Sequence, residues 1–361
     1  MSRWGALLAA VLALASPGRA ADGLQDSFGA LTEEVKETSA PLAERAADPK
    51  ARRPVVRVIS WNVQAFGANV SPEREAAYRE VLGHMLSDSR SARILSFQEI
   101  ANATGAAKIG AMLPGAGERW NDSFTNTNGA MDNGFFAERG VGMGCERPLF
   151  ARQDERGRWQ RDREKAMHTP RAAHMRVGNF DFTLLSIHLT FGGGDSRESA
   201  RELTNILDWV ARYLAQPGAD PDVIITGDLN IPTNKGRSKP GPSVEDVVAA
   251  HPAFGRQGGS RRFVALVDAP TSRNREGQPV NNYDHVLMTG DAYDEEYAKS
   301  SAGVVPHDFM RAIEERHGTM VSDHLPVSAG FYTSGEGGDG KPIAADGDSA
   351  CRVLLSMSPL K

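Results

Sequence analysis

At 361 residues, 40% apolar and 24% charged, the chain has ordinary globular composition, which excludes collagen-like, disordered and coiled-coil classes. The 41 Lys and Arg against 46 Asp and Glu give a net charge of −5, which argues against a uniformly basic nucleic-acid coat. Two cysteines exclude both a disulfide-rich mini-scaffold and a four-cysteine zinc site.

Residues 1–20 read as a secretory signal. A short basic start precedes a ten-residue apolar run over 6–15, then Ser16, Pro17 and Gly18, with small Gly18 and Ala20 at the −3 and −1 positions of cleavage after Ala20. The run is too short to span a bilayer, and no later stretch approaches 18 apolar residues, so no stable membrane anchor is expected. No cysteine lies near the cleavage point, which argues against a lipid anchor. Loss of Arg3 and Arg19 leaves 39 basic and 46 acidic residues, or −7. A secreted or periplasmic location allows a Cys145–Cys351 disulfide. Residues 21–54 are polar and charged, with a helical stretch around 24–44, and read as a leader and linker.

The domain itself is expected over 55–333. Residues 55–61 predict a strand, bounded by Pro54. Residues 72–86 predict a helix with Ser71 as N-cap and Pro72 at its first position. A buried strand over 94–97 ends in Gln98-Glu99, and a long strand covers 180–189. Residues 196–214 form an amphipathic helix, with Leu203, Ile206, Leu207, Val210 and Leu214 on one stripe. A short strand over 223–226 ends in Gly227-Asp228. The last two strands cover 283–288 and 325–331. This mixture argues α/β or α+β. The Gly-rich run after Thr333 opens a flexible tail over 334–361.

Polar groups recur at strand ends: Asn62, Glu99, His188, Asp228, Asn230, Asp284, and the pair Asp323-His324. Strand ends are rigid, so such side chains can converge on one rim. Singly, each has an ordinary structural reading as a turn, cap or core residue. Carboxylates such as Glu99 and Asp323 suit Mg²⁺, Mn²⁺ or Ca²⁺. Two histidines without thiolates make a poor zinc cage. His285 points to the opposite strand face from Asp284 and reads as structural.

Six segments stand in a familiar order: WNVQAFG (61–67), FQE (97–99), SIHL (186–189), TGDLN (226–230), YDHV (283–286) and SDHLPV (322–327). Together they closely resemble the endonuclease/exonuclease/phosphatase superfamily. WNVQAFG and the histidine of SIHL are most similar to its deoxyribonuclease I branch. The resemblance implies an α/β four-layer sandwich, two packed mostly antiparallel sheets flanked by helices. It also implies roles. Glu99 would bind the divalent metal, expected as Mg²⁺ with Mn²⁺ or Ca²⁺ open, with Asn62 and Asp323 close by. Asp228 would orient or deprotonate the attacking water, and Asn230 would hold the phosphate. His324 would contact phosphoryl oxygens, kept protonated by Asp284. His188 would be the second imidazole, as acid or phosphate donor.

Two departures stand out. The deoxyribonuclease I pattern pairs its first histidine with a Glu, but SFTNTNGAM (123–131) holds no acid. That branch also carries an Arg where this chain has Ala101. Charge points back toward a polyanion. Residues 147–176 hold nine Lys/Arg against four Asp/Glu, and 234–275 hold eight against three. Arg161, Arg163, Lys165 and Arg171 are the expected substrate contacts. The expectation is a secreted, monomeric phosphodiesterase that hydrolyses DNA, with RNA open, showing little sequence preference. A phosphatase or sphingomyelinase-like lipid phosphodiesterase, or a non-catalytic binding module on the same fold, are the alternatives.

Overall fold

The computed structural model describes residues 53–87, 91–124, 126–127, 131–236, 240–255, 262–334 and 348–357. The expected signal and leader lie outside the described residues, apart from residues 53 and 54. Along the chain come β1 (Val55–Phe66), α1 (Pro72–Met85), β2 (Ala92–Ile100), α2 (Ala103–Met112), β3 (Trp120–Phe124) and β4 (Asp132–Glu138). Next are β5 (Gly142–Pro148), β6 (Ala151–Gln153), β7 (Trp159–Arg161), β8 (Arg171–Val177), β9 (Phe180–His188), α3 (Arg197–Leu214) and β10 (Val223–Asp228). Then follow α4 (Val244–Ala250), β11 (Phe263–Ala265), β12 (Ser272–Arg273), β13 (Pro279–Asn281), β14 (Asp284–Thr289) and α5 (Gly290–Glu295). The last are β15 (Gly303–Val304), α6 (His307–His317), β16 (Val327–Tyr332) and α7 (Asp348–Ser356).

Two six-stranded sheets carry the fold, in the orders β15-β16-β1-β2-β4-β3 and β11-β14-β10-β9-β8-β5. Pairing is antiparallel except for β1 with β2 and β9 with β10, as the resemblance implied. Alternation explains the long apolar runs. Val56 and Val58 face Phe182, Leu184 and Ile224 between the sheets. Ile59, Trp61 and Val63 instead pack outward with α1, α2 and α6. On the second sheet Leu185 and Ile187 turn outward under α3, against Leu203, Ile206, Leu207 and Val210. A strand covered on both faces reads as continuous hydrophobicity.

Local chemistry sets the element ends. Ser71 caps α1 by accepting from the Arg74 amide at 3.2 Å, and Pro72 follows it. The hydroxyl of Ser196 instead donates to the Pro242 carbonyl at 2.6 Å, so α3 begins at Arg197. β1 continues past the expected end at Trp61 through a bulge between Asn62 and Phe66. There Gln64 and Ala65 take φ +47° and +52°, a conformation that polar or small residues tolerate locally.

The expected flexible tail contains a docked helix. α7 packs on β5 and β8, burying Leu354, and Met357 just beyond it, in the core cluster. A disulfide joins Cys145 to Cys351, with Cα atoms 5.5 Å apart. Arg147 donates to the carbonyls of Leu354, Leu355 and Met357 at 3.0, 3.0 and 2.6 Å, closing the helix C-terminus. The bond spans 206 residues, so it restricts the unfolded chain strongly. Cys351→Ser is expected to cost about 2–4 kcal/mol of unfolding free energy. Urea denaturation measures this, and an unchanged midpoint would reject the assignment.

Candidate active site

Both parallel strand pairs end at one rim. β1 and β2 place Asn62 beside Gln98 and Glu99, while β9 and β10 place His188 beside Asp228. Gly227 makes the second pairing possible. It takes φ +142°, and a Cβ there would lie 1.9 Å from the Ile187 carbonyl oxygen. No other residue fits that approach.

Asn62, fully buried, joins the halves. Its amide donates to Glu99 Oε1 at 2.9 Å and to Asp228 Oδ2 at 3.0 Å. Its Oδ1 accepts from the Gln64 amide at 2.9 Å, and Glu99 Oε2 accepts from the Ala65 amide at 2.9 Å. The strained bulge of β1 thus grips both carboxylates. Arg74 holds the bulge from behind, donating to the carbonyls of Val63, Gln64 and Val321. Ser322 donates to the Asn62 carbonyl at 2.7 Å and Trp61 Nε1 to the His324 carbonyl at 3.1 Å. Those bonds carry the Asp323-His324 turn onto β1.

His324 Nδ1 lies 2.7 Å from Asp284 Oδ2, and its Nε2 lies 3.5 Å from Asp228 Oδ2. Burial alone would strip this ring of its proton. The charges of Asp284 and Asp228 outweigh that and raise its pKa to about 10. The pairing expected from sequence is therefore the observed contact. Asp228 is pushed up to about 6 by burial, with His324 opposing and Asp284 adding. Its Oδ1 accepts from the Asn230 amide at 3.0 Å. The Asn230 side chain donates to the Leu189 carbonyl at 2.8 Å. His285 sits on the other strand face, with Nε2 2.7 Å from the Ile231 carbonyl.

His188 Nε2 lies 3.7 Å from both Glu99 Oε1 and Asp228 Oδ2. Burial lowers its pKa more than Asp228 raises it, so the ring is neutral. The missing Glu partner has no carboxylate substitute at Nδ1, which is buried with no hydrogen-bond partner among the described residues. The ring instead stacks on His168, centroids 4.1 Å apart and planes 7° apart. Burial, His188 and Arg161 drive His168 down to about 3. His168 escaped the sequence reading, because a histidine in an arginine-rich stretch sits in no apolar run.

The donor set suits a hard divalent cation. Glu99 is pushed up by burial and, in addition, by the charge of Asp323. Asp323 Oδ1 is buried without a hydrogen-bond partner among the described residues. An orphaned carboxylate oxygen that acts on a second buried carboxylate is a fitting donor for a hard cation. Asp228, Asp284 and His324 also bring one donor atom each within 4.8 Å of one another. There, however, Asp284 Oδ2 is engaged by the protonated His324, whose positive charge disfavours a cation beside it, so Glu99 and Asp323 are the better pair.

The basic residues divide. Arg161 donates to the Met167 carbonyl at 3.2 Å, and Arg163 is exposed. They belong to the stretch that carries His168 to the site; Lys165 is half-buried in it. Arg171 corrects the sequence expectation. It is 6% exposed and donates to Ser123 Oγ at 3.1 Å, and burial lowers its pKa to about 10. It faces the interior, packed with Ser123, rather than standing on the surface. In the second basic stretch Lys235, Arg262 and Arg273 are paired with Asp268, Asp294 and Glu314.

Comparison with known proteins agrees with this geometry. The model of the Endonuclease/Exonuclease/phosphatase family matches residues 59–324. A protein named Deoxyribonuclease from Thioalkalivibrio sp. (strain K90mix) is 23% identical over 292 residues, covering 77% of this chain and 72% of that one. TDP2 from Caenorhabditis elegans superposes with a TM-score of 0.51 at 15% identity, over 77% of this chain and 74% of that one. TDP2 from D. rerio, solved with a single-strand DNA product, gives 0.51 at 14% identity, over 77% and 99%. These structural likenesses establish the fold.

Proposed function

The chain belongs to the endonuclease/exonuclease/phosphatase family, and from that premise we propose that it is a Mg²⁺-dependent nuclease, cutting DNA and accepting RNA with little sequence preference. Members of this family hydrolyse phosphodiester bonds with a divalent metal. One observation carries the reading: a single amide, Asn62, ties Glu99 to Asp228 while two imidazoles lie within 4 Å of Asp228 Oδ2.

The residues divide the work. Asp228, ionised above about pH 6 and clamped by Asn62 and Asn230, accepts the proton of the attacking water. Protonated His324 donates from Nε2 to a phosphoryl oxygen as charge grows there. Neutral His188 offers one N–H to the phosphate or the leaving oxygen, held flat by His168. Asn230 supplies its remaining amide proton. Glu99 and Asp323 would hold the divalent cation, which when bound would supply charge neutralisation at the phosphate.

Nucleic acid is favoured over lipid by the basic stretch beside His188 and by the deoxyribonuclease name of the relative. Secretion is the accompanying reading, on the signal-like residues 1–20 and the disulfide. No helix among the described residues is long and apolar enough to cross a membrane. Purified protein incubated with plasmid DNA, RNA, sphingomyelin and a phosphomonoester, with and without EDTA, tests the substrate class. Cleavage of lipid with nucleic acid untouched would overturn it. Neutralising Arg161, Arg163 and Lys165 together is expected to weaken DNA binding across all sequences. The log–log salt slope, about −0.9 per phosphate neutralised, should flatten by about one for each of these side chains that meets a phosphate. A wild-type slope in the triple variant would reject their role in binding.

A further inference from the structure

We propose a second cation site, remote from the catalytic rim, formed by His174, Asp181 and Asp220 and taking a first-row transition-metal dication of the Zn²⁺ or Mn²⁺ class. Asp181 and His188 stand seven residues apart on β9, about 23 Å along the strand. The site therefore lies at the opposite end of the sheet from the catalytic residues.

Three observations carry it. One donor atom from each of the three side chains lies within 4.8 Å of the other two. His174 Nε2 is 3.9 Å from Asp181 Oδ2 and Nδ1 is 3.9 Å from Asp220 Oδ2. Those separations are too long for hydrogen bonds; one ring nitrogen would ligate the cation, and ligands about 2.0–2.2 Å from a shared cation stand up to roughly 4 Å apart, the spacing of either nitrogen from its neighbouring carboxylate. Second, His174 is only 7% exposed, and neither ring nitrogen has a hydrogen-bond partner among the described residues. A buried imidazole without a partner is costly unless something binds it. Third, a cavity of about 90 Å³ opens against Asn179, Asp181, Asp220 and Asp222.

Acidic side chains gather at the same place. Asp181, Asp220 and Asp222 crowd the cavity, with Asp291 and Glu296 acting on Asp222. The guanidinium beside them, that of Arg176, lies 3.7 Å from Asp181. Such a gathering of carboxylates attracts a dication. An imidazole nitrogen with two carboxylates selects Zn²⁺ or Mn²⁺ over Mg²⁺ or Ca²⁺, which prefer oxygen alone. Bound there, it would tie β8, β9 and the segment before β10 into one unit. The backbone is already ordered for this: the Asp222 amide donates to Asp220 Oδ1 at 2.9 Å, and the Asp220 amide to the Tyr213 hydroxyl at 3.1 Å.

The test uses full-length Glu99→Gln protein, so that the catalytic rim contributes little. Micromolar Zn²⁺ or Mn²⁺ is expected to bind one per chain in equilibrium dialysis and to raise the unfolding midpoint by about 5 °C. Millimolar Mg²⁺ should not displace it. Adding His174→Ala should abolish both effects. Where that variant fails to fold, Asp181→Asn, at a partly exposed position, gives the same readout. A crystal grown with Mn²⁺ should show an anomalous peak at His174. The proposal is overturned if that peak is missing, or if either variant leaves the stoichiometry and midpoint shift unchanged.

Discussion

Glu99→Gln is expected to fold normally and lose about 10³-fold in kcat/KM, the scale of removing a principal charge-stabilising element from a phosphoryl-transfer site. Size and shape barely change. What changes is charge, at a carboxylate whose two oxygens already accept from Asn62 and from the Ala65 amide. A Gln can accept only one of those bonds and turns an NH₂ toward the other donor. The site then loses its cation ligand and part of the grip on the β1 bulge. Circular dichroism should be unchanged, while the Mg²⁺ concentration for half-maximal rate should rise. Mg²⁺ should also stop raising the unfolding midpoint, because a ligand stabilises only the state that binds it. Activity that survives both this substitution and EDTA would remove the metal from the mechanism.

The site was legible in sequence because its residues sit in short segments fixed to strand ends. Asn62, Glu99, His188, Asp228 and His324 are brought together as the motif order implied, and Asp284 meets His324 directly. Charge was less legible, because composition does not report direction. Arg171 shares a strand face with Ala173 and Met175, both in the core between the sheets. Period-2 reading of β8 would have turned it inward, whereas counting basic residues did not. The same counting treated Lys235, Arg262 and Arg273 as available, although each is spent on an acid brought near only by the fold. The helix α7 was hidden because the Gly-rich run ahead of it dominates the composition of 334–361. Its anchors, Cys145 and Arg147, lie some two hundred residues earlier. His168 acquires meaning only by stacking on His188, which no local pattern encodes.

Asp284→Asn is expected to cut activity by about 10²–10⁴-fold at pH 8–9 and to recover much of it near pH 6.5. In the wild type Asp228 must be ionised, which sets an acid limb near its pKa of about 6. His324 must be protonated, which sets an alkaline limb near about 10. Between them the rate should be level. The substituted amide can still accept from Nδ1, so the ring keeps its orientation, but the buried charge that overcame desolvation is gone. The His324 pKa then falls toward or below the ordinary imidazole value of about 6.5, and the alkaline limb moves down with it. His324→Ala differs, because it loses activity at every pH. Stability follows the same sign. A histidine pKa raised in the folded state stabilises fully below the unfolded value, and that contribution is lost as pH rises through about 10. The wild type should therefore weaken between neutral and alkaline pH more than the Asp284→Asn variant does. Profiles of kcat/KM against pH at saturating Mg²⁺ decide the matter. An alkaline limb that stays in place after the substitution would mean that another group, and not the Asp284-charged imidazolium, holds the developing negative charge.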